Sequence, residues 1–316
     1  MGREAPPRVG VACSGGRDST ALLHATARAA ASLGLEVRAL HVHHGLLPEA
    51  DAWWRALEGR CRRWRHAGWP VAFCGARVPG RPAPGDSIEA WARRARYRAL
   101  AELAQGEGIT LVLLAHHRRD QAETVLLQAL RGAGAPGLSA MPKVVVREGI
   151  TWARPWLDQP REAVDAYVRR HRLAHVEDPS NADTRYARNR LRATLWPAFT
   201  AAFPQAEAAL AASAARMQEA AQCLDELARI DAAMALGEGG LRVSPWLALP
   251  AARRANLLRH WATLWSATGL PETLLQRLLD ELPTARTGNR WPAPGGWLLL
   301  RRGLVRFEAA RASGPG

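Results

Sequence analysis

Near the amino terminus, Ser14-Gly15-Gly16-Arg17-Asp18-Ser19 combines residue types that suit a bound phosphate. Adjacent glycines let a backbone turn tightly and approach an anion closely. Where a helix opens at such a turn, its first N–H groups and its dipole point at that anion. Ser14 and Ser19 add hydroxyl donors. Asp18 would repel phosphate unless a divalent cation joined them, so its expected role is a Mg²⁺ ligand. The spacing is not that of a GxxxxGKS/T loop, and the sequence's single lysine, Lys143, lies far from it. An ordinary glycine-rich strand-to-helix turn is the competing reading.

Other clusters carry chemistry further along. Asp120 and Glu123 stand i,i+3, on one face if that stretch is helical, with His116 just before them. A histidine and a carboxylate together can orient a nucleophile, take its proton or hold a metal. The alternative is a solvated helix start whose acid complements the dipole. Glu89, Arg93 and Arg96 also share a helix face, either as a surface ion pair or as ATP or RNA contacts. Arg185, Arg188, Arg190 and Arg192 follow a loop dense in turn formers, and closely spaced guanidiniums can grip phosphates.

These clusters need elements to position them. The pattern predicts strands at Arg8–Cys13, Val37–Val42, Val71–Cys74 and Thr110–Ala115. Helices are predicted at Asp18–Leu33, Ala52–His66, from an Asp86 or Ser87 cap to about Gln105, and at Arg119–Arg131. Three prolines mark Arg77–Gly85 as a loop. Alternating strands and helices with continuously apolar strands imply a doubly wound, parallel α/β sheet covered on both faces. Ligands bind beyond the carboxyl ends of such strands. Ser14–Ser19, His43–Gly45 and His116–Asp120 all sit at strand ends, so one crevice is expected to gather them. Helices are also expected at Arg161–His171, Arg188–Trp196 and Gln205–Leu236, the last with Leu210, Ala214, Met217, Ala221, Leu224 and Ala228 on one stripe. The division is set at residues 1–200 for an ATP-binding catalytic domain and 201–316 for a smaller, mixed α/β domain entered by a long helix.

Composition narrows the partners. A net charge of +14 across 316 residues fits a polyanion such as RNA, and nearly every cation is arginine. Base-composition bias can produce the same excess. The four cysteines form no CxxC pair, which argues against zinc ribbons and cysteine-bound clusters. No stretch has the apolar length of a membrane helix or the layout of a secretory signal, so a cytoplasmic, non-membrane protein is expected. Most of the thirteen tryptophans are expected in cores; Trp291 and Trp297, near Arg286, Arg290, Arg301 and Arg302, are candidates for RNA contact.

Ser14–Ser19 resembles the SGGxDS signature of the PP-loop ATP pyrophosphatases. Several further segments resemble one family within it, the tRNA(Ile)-lysidine synthetases: His41-Val42-His43-His44-Gly45-Leu46; Glu89 to Tyr97; His116 to Thr124 with Arg131-Gly132-Ala133-Gly134 and Gly137-Leu138; and Glu177-Asp178-Pro179-Ser180-Asn181 with Arg188-Asn189 and Arg192. The resemblance runs in order over about residues 8–200. It implies ATP and Mg²⁺ as cofactors, with an isoleucine tRNA of anticodon CAU and free L-lysine as substrates. ATP adenylylates the C2 oxygen of the wobble cytidine, and the lysine ε-amine then displaces AMP to give lysidine. It further implies ATP contacts from Ser14, Gly15, Gly16, Arg17, Asp18, Ser19 and His44, catalytic roles for Asp18, His116 and Asp120, and tRNA contacts from Arg93, Arg96, Arg188 and Arg192. Many members carry two acids before the glutamine; here the first is Arg119, which shifts any metal role to Asp120 and Asp18. A sulfur-transferring tRNA enzyme and a non-catalytic, nucleotide-gated RNA-binding protein are the rival readings. Monomer and homodimer stay equally open.

Overall fold

The computed structural model describes residues 6–45, 48–80, 88–237 and 239–310, with only the backbone of Ile88, Glu89 and Asn181. Leu46, the expected caps Asp86 and Ser87, the end of the loop expected at 77–85, and the side chain of Glu89 lie outside the described residues. The chain forms two compact units, Met1–Gln218 and Glu219–Gly316. Among the described residues no helix is long and apolar enough to cross a membrane.

The first unit alternates strand and helix through its first half: β1 (Arg8–Ala12), α1 (Arg17–Leu33), β2 (Glu36–His43), α2 (Ala50–His66), β3 (Val71–Arg77), α3 (Ile88–Gly106), β4 (Leu111–Leu113) and α4 (Arg118–Ala129). A short helix α5 (Ala135–Leu138) leads to the pair β5 (Val144–Arg147) and β6 (Ile150–Ala153). Helices α6 (Arg161–Arg170), α7 (Ala187–Arg190), α8 (Trp196–Ala202) and α9 (Ala206–Ala235) follow. The strand order is β3-β2-β1-β4-β6-β5. All neighbours are parallel except β5, which closes the edge antiparallel to β6.

Both faces are covered, as continuous apolar strands require. Val9, Val11, Val37 and Val71 pack with Leu22, Leu23 and Ala27 of α1 and with Leu57 of α2. Leu40 and Val112 pack with Leu100 and Ala104 of α3 and with Trp152 of β6. Helix α6 lays Val164 and Val168 on Ala21 of α1. At Gly75 a Cβ would stand 2.4 Å from Trp54, so this strand position must be glycine for α2 to lie against the sheet.

The second unit begins within α9. Its strands are β7 (Leu236–Gly237), β8 (Gly240–Arg242), β9 (Arg290–Ala293), β10 (Gly296–Arg301) and β11 (Leu304–Ala309). They form an antiparallel sheet in the order β7-β8-β11-β10-β9, with helices α10 (Val243–Leu247), α11 (Ala251–Ala262) and α12 (Glu272–Glu281) between β8 and β9 in sequence. Strand alternation sorts its faces. Trp291, Leu298, Leu300 and Val305 enter a core with Trp246, Leu257, Leu258, Leu275 and Leu278. The other face presents Trp297, 41% exposed, with the Arg290 guanidinium 4.9 Å from its ring centre. Trp291 is therefore not the surface aromatic expected from the sequence: it is 1% exposed and its indole donates to Glu281 at 2.6 Å. The α9 stripe also departs from expectation. Ala214 and Ala228 are buried but Leu224, at the edge of the stripe, is 38% exposed.

Candidate active site

The strand end of β1 builds the cradle. Gly15 has φ +87°, a left-handed conformation that glycine adopts without a steric penalty. Its carbonyl accepts from Val176 N at 2.9 Å and from the Thr20 hydroxyl at 3.1 Å, fixing the turn from both sides. Ser19 Oγ donates to Gly16 O at 3.0 Å and lies 3.2 Å from Ser14 Oγ, while Gly16 N donates to Ser14 Oγ at 3.3 Å. Gly16 occupies the N-cap of α1 and no side chain caps that helix, so free N–H groups face the strand ends beside two hydroxyls.

Asp18, in the first turn of α1, accepts from Arg17 Nε at 3.0 Å and faces His117 Nε2 at 3.7 Å. Burial raises its pKa, but His117 and Arg17 outweigh burial and hold the carboxyl well below the usual range. Arg17 is itself turned toward Asp165 of α6, 2.8 Å away.

His117 is the link that sequence reasoning missed. It ends the β4 loop, is 2% exposed, and its Nδ1 lies 3.5 Å from Asp120 Oδ2. Its backbone N–H donates to the same Asp120 oxygen at 3.0 Å, capping α4. Burial disfavours its cation, yet Asp18 and Asp120 together raise its pKa. Burial works against Asp120's charge too, but His117, His116 and Arg192 lower its pKa overall. Asp120 is 7% exposed and Glu123 fully buried, which overturns the solvated helix start. Arg192 Nη2 meets Asp120 at 2.8 Å and Arg192 Nε meets Glu123 at 2.7 Å. Arg188 donates to the Thr124 hydroxyl at 2.7 Å and lies 3.6 Å from Glu123. Both arginines thus turn inward onto α4. A π-helical turn at Leu191–Leu195 carries Arg192.

His116 points an unpartnered, buried Nδ1. Burial pushes its pKa down to about 4, so the ring is neutral near pH 7. His44, at the end of β2, accepts from Arg96 at 3.4 Å, and burial brings its pKa to about 4. Arg93 lies 5.1 Å over the Tyr97 ring. The structure therefore brings Ser14–Ser19, Asp18, Asp120 and the two inward arginines into one connected network. His44, Arg93 and Arg96 stand on a neighbouring strand end and helix. Arg119 is directed elsewhere: it pairs with Glu207 at 3.2 Å and Glu162 at 3.1 Å, over the Trp196 ring.

The chemistry available is anion binding at α1 beside a string of alternating charges: Asp18, His117, Asp120, Arg192, Glu123. Among the described residues, no group of three or more His, Cys, Asp or Glu converges as a complete metal cage.

A PP-loop domain model matches residues 2–199, and a TilS substrate binding domain model matches residues 241–307. The chain is 46% identical over 315 residues to the tRNA(Ile)-lysidine synthase of Ralstonia nicotianae, covering 98% of this chain and 66% of that protein. It is 42% identical over 316 residues to the tRNA(Ile)-lysidine synthase of Bordetella pertussis, covering 96% of this chain and 97% of that one. Among solved structures, the U34-tRNA thiolase NcsA from Methanococcus maripaludis superposes with a TM-score of 0.58 at 14% identity, over 69% of this chain and 76% of that one, a likeness of fold.

Proposed function

We propose, from the premise that this chain belongs to the tRNA(Ile)-lysidine synthase family, that the string from Asp18 to Glu123 is the centre at which it forms lysidine on an isoleucine tRNA. The observation that carries the site assignment is His117 standing between Asp18 and Asp120, which ties the phosphate loop after β1 to the acids of α4. A nucleotide on the loop and a nucleophile at the acids then meet in one crevice.

ATP phosphates sit against the free N–H groups of α1, with Ser14 and Ser19 hydroxyls beside them. The donor set fits Mg²⁺, which takes one or two carboxylates, phosphate oxygens and water rather than a protein cage. Asp18, ionised and a third exposed, is the residue that would hold it. Bound there, the ion supplies neutralisation of phosphate charge.

The wobble cytidine's C2 oxygen bonds to the α-phosphorus as pyrophosphate leaves. The lysine ε-nitrogen, as the free amine, then bonds to C2, the C2–oxygen bond breaks to release AMP, and the nitrogen gives up a proton to solvent. Asp120 stays ionised and accepts N–H groups of the incoming amine; Glu123 adds negative charge on the same face. His116, neutral at pH 7, offers Nδ1 as a further acceptor that orients the amine. Arg188 and Arg192 hold these acids in place, and their remaining exposed edges face the tRNA. Arg93 and Arg96 extend the cationic rim, with the neutral His44 ring beside Arg96. The C-terminal unit adds recognition through the Trp297–Arg290 face, where a base can stack.

Sulfur transfer is disfavoured. Burial raises the Cys13 thiol and pushes Cys61 up to about 12, so neither is a ready thiolate nucleophile. The decisive assay supplies ATP, Mg²⁺, a tRNA transcript with anticodon CAU and labelled lysine. Incorporation that needs ATP and disappears in Asp18→Ala supports the reading. AMP release only on addition of a sulfur donor overturns it.

A further inference from the structure

We propose that the cavity between α4 and the π turn after α7 seats one unstacked base of the tRNA anticodon loop, a neighbour of the base that is modified. The inference rests on the lysidine-forming reading of the adjoining acids. The cavity has a volume of about 180 Å³ and is walled by Leu127, Leu130, Leu191 and Leu195, with Arg131 and Arg190 among its lining.

Four observations select this occupant. First, Leu130 is 76% exposed and Leu195 is 55% exposed, an apolar patch that costs free energy unless something covers it. Second, the lining holds two arginines and no acid. Among the described residues neither Arg131 nor Arg190 has a carboxylate partner; Arg190 makes only a long contact with Thr184 O at 3.3 Å. An apolar slot with two guanidiniums that no carboxylate neutralises matches a base and its flanking phosphates. An apolar covering helix, or a second copy docked through this same acid-free patch, would fill the leucines but leave both charges unmatched. Third, the volume falls below the roughly 300 Å³ of a drug-sized pocket, as a single ring system requires.

The fourth observation is the shared framework. Leu127 stands one turn beyond Glu123 on α4, so the cavity lies beside the buried acids. Leu191 and Leu195 open and close the π turn, and Arg192 between them holds both Asp120 and Glu123. Wide turns of this kind recur at functional sites, where they re-aim side chains. A base seated against Leu191 and Leu195 therefore braces the segment that orients the acids. This makes the cavity a positioning and specificity element for the same reaction.

The test measures the dissociation constant of a fluorescent anticodon stem–loop by anisotropy, with each loop nucleotide replaced in turn by an abasic one. In Leu130→Asp, a surface change, affinity falls by about ten- to a hundredfold, the worth of one leucine buried against the base. Arg190→Gln weakens binding less and flattens its salt dependence. One abasic position costs the unaltered enzyme as much as Leu130→Asp does, and combining the two adds no further loss. Unchanged affinity in both variants, full additivity at every position, or a Leu130→Asp protein whose only change is lost self-association would overturn the proposal. Lysine incorporation by the unaltered enzyme, assayed in parallel, tests the preceding reading by itself, because the anisotropy measurement needs no turnover.

Discussion

Asp18 and His117 come from different strand ends, yet the His117 imidazole reaches to within 3.7 Å of the Asp18 carboxylate. On its other side His117 faces Asp120 at 3.5 Å. One imidazole thereby fixes the spacing between the phosphate loop and α4. Burial disfavours the imidazolium, but the two acids outweigh it and raise the His117 pKa.

That charge makes His117 stability depend on pH in a defined sense. Its folded pKa lies above the unfolded value of about 6.5. The stabilisation is then fully present below pH ~6.5 and fades as pH rises through the folded pKa. His117→Gln should lower the melting temperature most near pH 5 to 6 and progressively less toward pH 9. A gap between the two proteins that stays constant across this range would show that the ring acts only through packing.

Glu123 and Arg192 form the buried half of the string. Glu123 is fully buried while a third of the Arg192 side chain is exposed. Removing Arg192 leaves the buried carboxylate only the longer Arg188 contact at 3.6 Å, so Arg192→Leu should cost about 3 kcal/mol, the lower end expected for breaking such a pair. Adding Glu123→Gln should restore part of that stability without restoring lysine incorporation. Urea denaturation of the single and double variants measures it. Strict additivity of the two losses would mean the pair is not coupled.

Much of this was legible in the sequence, and the reasons for the remainder are local. The β1 run, the double glycine and the α1 period announced the cradle, because each is a short-range signal. The choice between His116 and His117 is not short-range. Adjacent residues differ only in which way they face, and His117 turns inward because its own N–H caps α4 through Asp120. Arg188 and Arg192 are expected from the sequence as tRNA contacts, and their inward pairing is not legible there because their acidic partners lie far upstream on another helix. The β5–β6 hairpin was missed for turn chemistry. It turns at Glu148 and Gly149, with φ +53° and +74°, where asparagine or aspartate is the usual first residue. Trp291 and Trp297 stand six positions apart near the same arginines, yet only their strands' alternation decides which enters the core.

Trp297 should report on RNA. With the ring 41% exposed and Arg290 against it, Trp297→Ala removes a stacking surface but little core. Affinity for the full tRNA should fall by about five- to a hundredfold, the worth of one stacked base. Affinity for the isolated anticodon stem–loop and the melting temperature should stay nearly constant. An equal loss for both RNAs would place Trp297 outside C-terminal recognition.

Arg119 occupies the position where an acid was expected to serve the metal, and its contacts argue for a structural role. It pairs with Glu207, whose side chain is 11% exposed, shares that acid with Arg118, and lies over Trp196. Reinstating the acid with Arg119→Asp would set a carboxylate against Glu207 and lose the ring contact. Stability should fall by about 1–3 kcal/mol, the cost of leaving a largely buried acid short of a partner. The Mg²⁺ concentration giving half-maximal lysine incorporation should not shift, because Arg119 contacts neither Asp18 nor Asp120. Arg119→Met, which keeps apolar bulk over Trp196 without the charge, should fall between the two proteins in stability and match both in its Mg²⁺ requirement. A lower Mg²⁺ requirement in Arg119→Asp alone would instead make position 119 part of the metal site and move the burden away from Asp18.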